Sequence, residues 1–168
     1  VNSDIPPDEL AAYEEYKRRV EGTNISTQTL LATDYLNHFN EIVMLLDMLP
    51  DMPEMIEECK CWEPKSYKDH FAGSTFSDRQ LAVEAYDRVP GKYRRPFEET
   101  IGQLNELILT GVDRLDRQFA EGVPAEQFQD SCRALTRTAQ TLMDCASAII
   151  HGSAGALAQS EIDGLMGR

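Results

Sequence analysis

Basic residues are scarce in this chain of 168 residues: 16 Lys and Arg stand against 29 Asp and Glu, a formal net charge of -13. Nucleic-acid binding depends on Lys and Arg that neutralise phosphates, and an anionic membrane surface repels an acidic chain. Both are therefore poor partners, and a protein with a basic patch is favoured, in an encounter that weakens as salt rises. Histidine occurs only as His38, His70 and His151. The chain has no His-Glu-x-x-His pattern, no Gly-x-Ser-x-Gly elbow and no phosphate-binding glycine loop, which removes the usual sequence marks of zinc hydrolases, α/β hydrolases and nucleotide enzymes. Four cysteines, Cys59, Cys61, Cys132 and Cys145, are too few and too loosely spaced for a disulfide framework. Long apolar runs are also missing, so neither a signal peptide nor a membrane span is expected, and the cytoplasm is the default location. The chain begins at Val1, which points to a missing initiator or a trimmed N-terminus.

The acids that are present are unevenly placed. Residues 1–75 carry 15 acids and 6 bases, whereas residues 76–168 carry 14 and 10. Between Val20 and Cys59 there are eight acids and no base. A charge run of this kind usually marks a solvated face, and it also suits a docking surface for a basic partner.

β-Hairpin patterns are scarce, and apolar residues recur at spacings of three and four. Pro7 to Val20 reads as a helix, with acids in its first turn, Lys17, Arg18 and Arg19 in its last, and Gly22 beyond it. A second helix is expected from Thr27 to about Leu49, with Ser26 as its cap, a seam running through Leu31, Tyr35, His38, Ile42 and Leu45, and Pro50 as its stop. Shorter helices are expected at about 52–61, 66–71 and 78–88, the last opened by the capping-box pattern Ser77-Asp78-Arg79-Gln80. A third long helix should run from near Pro96 to Ala120, with a seam from Phe97 to Phe119. A fourth should run from Ala125 to about Ile150, with Phe128, Cys132, Leu135 and Leu142 inward. The short link Gly122-Val123-Pro124 would make these two an antiparallel pair. Gly152 to Gly155 breaks the periodicity, and Ala158 to Arg168 reads as a tail with a short amphipathic helix. The expectation is an all-α fold: an antiparallel bundle of four to five helices built on a C-terminal helical hairpin, with residues 1–157 as one domain and 158–168 as a flexible tail.

Two groups of residues have metal-ligand chemistry. Asp34, His38 and Glu41 would project from nearly one side of a continuous helix, and a carboxylate-His-carboxylate group holds a metal or orients an imidazole. A di-iron bundle needs ligands from four helices, and the seams of 97–120 and 125–150 offer none. A core histidine with its hydrogen bonds met explains His38 at least as well. Cys59-x-Cys61 with His70 is one ligand short of a structural zinc site and lacks its spacing. Arg88, Lys92, Arg94 and Arg95 form the one dense basic cluster. It suits a phosphate or an acidic partner, or a complement to the acidic 21–59 region, within the chain or across a dimer.

Gln159-Ser160-Glu161-Ile162-Asp163-Gly164-Leu165-Met166 resembles the short acidic and apolar peptides with which flagellar-switch and chemotaxis-phosphatase proteins bind the chemotaxis response regulator. Phe128-Gln129-Asp130 is similar to a segment of the helical chemotaxis phosphatases. That family carries a catalytic Gln one turn beyond its Asp, where this chain has Ala134, so phosphatase activity is not implied. The resemblance covers about a dozen residues and implies a signalling accessory protein that docks on a response regulator through its tail.

Together these features point to a non-enzymatic adaptor or regulatory protein without a cofactor. It would bind another protein through an acidic, aromatic-containing helical surface, with Asp47, Asp51, Glu54, Glu57 and Trp62 as contacts and Ile162 and Leu165 in the tail. A bundle enzyme centred on Asp34, His38 and Glu41 is the alternative. Apolar residues beyond the simplest seams make a homodimer plausible.

Overall fold

A computed structural model describes residues 5–152 and 156–167. The fold is all-α. Eight α-helices follow in order among the described residues: α1 Pro7–Arg19, α2 Asn37–Met48, α3 Ile56–Lys60, α4 Tyr67–Ala72, α5 Arg79–Tyr86, α6 Gly91–Glu121, α7 Ala125–Ile150 and α8 Gln159–Leu165. Two 3-10 turns, Thr33–Leu36 and Pro53–Met55, precede α2 and α3. The expected bundle of four to five helices on a C-terminal hairpin is thus corrected. The segments between the long helices form helices of their own, and the chain ends on a further helix, α8, whose contact with α7 is weak. Of the break expected at 152–155, residues 153–155 lie outside the described residues.

The chain divides into two compact units. The first comprises Val1–Asn37, Lys65–Glu99 and Cys145–Ala156. Its core is aromatic. Tyr35, Tyr67, Phe71 and Phe97 are all buried, and the Tyr67 ring lies 4.7 Å from both Phe71 and Tyr86 and 5.3 Å from Tyr35. Pairs at these distances favour offset or tilted contacts that add to simple burial. The hydroxyls inside this core are all engaged. Tyr67 Oη accepts the Ala32 N–H at 2.8 Å, and Tyr35 donates to the Lys65 carbonyl at 2.6 Å.

The second helix starts ten residues later than its periodicity predicts. Ser26 does cap, but it closes a tight loop. Its Oγ accepts from Gln28 N and Thr29 N, Ile25 bridges to Ala32, and Leu30 takes a left-handed φ of 65°. The Thr29 hydroxyl donates to the Ile150 carbonyl at 2.5 Å, and Leu30 and Leu31 are both fully buried. Burying two consecutive leucines suits a loop laid into the core; a helix would point them to different sides.

The second unit comprises His38–Pro64, Thr100–Asp144 and Leu157–Arg168. Its core includes Ile42, Leu46, Ile56, Leu104, Leu115, Leu135 and Leu142. Gly111 of α6 lies under Leu135 of α7, so a Cβ at 111 would fall 2.6 Å from both Leu135 methyls. Two local expectations change elsewhere. The third long helix begins at Gly91, ahead of Pro96, which it accommodates in its second turn. The Ser77–Gln80 capping box does not form, because Asp78 is the N-cap of α5 and its side chain caps nothing.

Candidate functional site

Two helix stops border an apolar cleft of the second unit. At the end of α6, Gly122 adopts φ +68°, a conformation that costs a residue with a Cβ. Gly122 N–H then returns to the Phe119 carbonyl, and Val123 N–H to the Gln118 carbonyl, both at 3.2 Å. This double return ends the helix and turns Val123 inward. At the end of α2, Pro50 stops the helix, and Pro53 opens the 3-10 turn. The Gln129 side-chain amide of α7 donates to the Pro50 carbonyl at 3.2 Å and fixes the 50–53 segment.

Between these two stops lies a cleft of about 220 Å³, lined by Pro50, Pro53, Phe119, Val123, Phe128 and the amides of Gln118 and Gln129. Phe119, expected on the core seam, is 45% exposed here, while Phe128, 6.1 Å from it ring to ring, is buried. Gln118 is only 8% exposed, and its Oε1 is buried without a hydrogen-bond partner. Such a group is rare in folded proteins, because a buried acceptor left unmet costs about 1–3 kcal/mol.

The charged residues next to the lining in sequence are mostly acidic. Asp51, Glu54, Glu121 and Glu126 each adjoin a lining residue in sequence, and all four are exposed. Arg117, next to Gln118, is held by Asp113 at 3.3 Å. A second cleft of about 410 Å³ shares Pro50 and sets Asp47 and Asp51 against Arg133 and Arg137. The chain matches no family model, and no curated protein or solved structure is significantly similar to it.

The other expected site residues are distributed as follows. Asp47, Asp51, Glu54 and Glu57 are all exposed, and Glu57 shares Lys60 with Asp116, at 3.5 Å and 3.3 Å. Trp62 is corrected from a contact to a core residue. It is 9% exposed, donates its indole N–H to the His38 carbonyl at 3.0 Å, and stacks on the His38 ring at 4.9 Å. The metal reading of Asp34, His38 and Glu41 is also corrected: among the described residues no group of three or more His, Cys, Asp or Glu is placed to hold a metal ion. Asp34 lies in the 3-10 turn, so the α-helical spacing that would align it with His38 is absent. The His38 ring is instead engaged by protein, with Nε2 2.6 Å from the Glu63 carbonyl and Nδ1 3.8 Å from Glu41.

In the tail, Ile162 is buried and Leu165 is 47% exposed, and the Gln103 amide donates to the Leu157 carbonyl at 2.9 Å. Arg88, Lys92, Arg94 and Arg95 gather around the start of α6, where Arg95 Nε donates to the Gly91 carbonyl and Lys92 lies over the Tyr93 ring. All four cysteines are free thiols. Burial pushes Cys59 up to about 11 and Cys132 up to about 12, which makes both inert at neutral pH.

Sequence reasoning missed Gln118 and the cleft itself. A polar residue beside a seam reads as solvated, and only the fold buries it. The usable signal was the pair of helix stops, Pro50 and Gly122, since apolar residues beside a stop lose the cover of the next turn.

Proposed function

We propose that this protein is a non-catalytic adaptor or regulatory protein that binds another protein through its acidic helical surface around residues 47–57 and the adjoining apolar cleft. The observation that carries this reading is the cleft: exposed Phe119, buried Phe128 and two prolines in a concave apolar setting, with four exposed carboxylates adjoining its lining in sequence. A polar rim around an apolar centre is the usual anatomy of a protein interface. Exposed Met48 and Met52, on either side of Pro50 in sequence, add adaptable apolar surface. Met44 and Leu109, 67% and 47% exposed, favour a further contact such as a homodimer. No helix among the described residues is long and apolar enough to cross a membrane, and a cytoplasmic setting remains part of the proposal.

The test is affinity purification from the protein's own cells with the wild type and with a variant carrying lysine at 47, 51, 54 and 57. The expected result is a protein enriched by the wild type and lost from the variant, while both give the same circular dichroism and elution volume. Equal enrichment by both would place the interface elsewhere.

A further inference from the structure

We infer that the cleft lined by Asp47, Asp51, Arg133 and Arg137 binds a free basic α-amino acid of the lysine and arginine class. This goes beyond the protein-binding reading and does not depend on it.

Two pieces of the second unit form the cleft. Asp47 lies in the last turn of α2, and Asp51 follows one turn later, its N–H returning to the Met48 carbonyl at 3.2 Å. Arg133 and Arg137 stand one turn apart on α7, so both lie on one side of that helix. The Gln129 amide of α7 donates to the Pro50 carbonyl at 3.2 Å and ties the acid-bearing segment to the arginine-bearing helix. Leu46 and Cys132, neither with exposed surface, and Pro50 make part of the lining apolar. The volume of about 410 Å³ lies within the usual range for small-molecule pockets, about 300–1,000 Å³.

The charges select the ligand. Both signs line one cleft without meeting across it: among the described residues, none forms an ion pair or a side-chain hydrogen bond with Asp47, Asp51 or Arg137. Arg133 is shared with Asp130 at 3.7 Å. Two carboxylates and one guanidinium are therefore open to a ligand. A phosphate or a dicarboxylate would meet the aspartates with like charge, and a divalent cation would do the same at Arg137. A diamine would leave Arg137 unmet. A basic α-amino acid carries two cations, one carboxylate and an apolar stem, which matches the open groups one for one. Its carboxylate would pair with the planar fork of Arg137 and its two cations with Asp47 and Asp51. Its methylenes would lie along Leu46 and Pro50.

The experiment titrates the full chain, labelled with nitrogen-15, with L-lysine and with three analogues that each lack one group, all at matched ionic strength. Cadaverine lacks the carboxylate, norleucine the side-chain cation, and Nα-acetyl-lysine the α-ammonium. The expected result is that lysine shifts the backbone amides of Asp47, Asp51, Arg133 and Arg137. Each analogue should bind about tenfold more weakly, the worth of one charge-assisted hydrogen bond. Arg137→Gln should bring lysine down to the affinity of cadaverine and leave cadaverine no weaker. Asp47→Asn with Asp51→Asn should cost lysine its advantage over norleucine. Equal affinity of lysine and cadaverine for the wild type overturns the inference without any variant having to fold. So does a shift pattern centred away from the cleft, or no shift at tens of millimolar lysine. Equal binding of Nα-acetyl-lysine also overturns it, and would assign the cleft to the C-terminal lysine of a polypeptide. None of these outcomes bears on whether the lysine variant of residues 47–57 releases a protein partner, so the docking function stands or falls separately.

Discussion

Tyr67 shows how one hydroxyl ties an aromatic core to the backbone. Its ring touches Tyr35, Phe71, Tyr86 and Phe97, and its oxygen accepts the N–H of Ala32, a residue with no exposed surface. Tyr67→Phe keeps the ring and removes the acceptor. The buried Ala32 N–H is then unmet, so the variant should lose about 1–3 kcal/mol in urea unfolding with an unchanged slope. A loss well below this would mean that the loop shifts to find another acceptor. Trp62 teaches the reverse lesson about legibility. A lone tryptophan beside acids and cysteines reads as a contact, but its N–H is spent on the His38 carbonyl and its face on the His38 ring. Neither partner is near it in sequence.

At the scale of elements, helices with strong local signals were legible. The spans expected for α1 and α7 agree with those observed to within a residue, because a proline start or a glycine stop acts through the backbone alone. Ser66 is such a signal in α4: its Oγ accepts the Asp69 N–H at 3.1 Å. Ser66→Ala should cost about 1 kcal/mol, and Ser66→Thr should restore most of it. Since α4 carries Tyr67 and Phe71 into the core, the loss should appear in global thermal unfolding rather than as local fraying. Fraying alone would show α4 to be dispensable to the unit's core. Where the signals compete, the sequence misleads. Ser26 caps a loop where a helix was expected, because Thr29 bonds to Ile150 and the loop's leucines are buried.

For the whole molecule, buried and half-buried tyrosines should set the alkaline limit of stability. Burial raises Tyr13 and Tyr35 from 10.0 to about 12, and raises Tyr67 and Tyr86 further. The fold therefore holds these phenols neutral where the unfolded chain would ionise them. Their stabilisation is complete below pH 10 and is lost as pH rises from 10 towards 12 and beyond. Buried Cys59 and Cys132 act in the same direction. The melting temperature should be level up to about pH 9 and fall steeply above 10, with tyrosinate absorbance rising as the helical signal is lost. If all six tyrosines titrated near 10 with the helices intact, the burial argument would fail.

What the sequence determined alone is whatever depends on neighbours along the chain. Period-three-and-four patterning makes the fold helical, Pro50 and Gly122 end two of the helices, and the scarcity of Lys and Arg makes the surface acidic. Tertiary structure decided the number of helices, the burial of Trp62, the exposure of Phe119, and the unmet oxygen of Gln118. The physical reason is the range of the forces. Backbone dihedrals and caps act within a turn of helix, whereas burial is settled by residues many tens of positions away, as with Gln129 and Pro50.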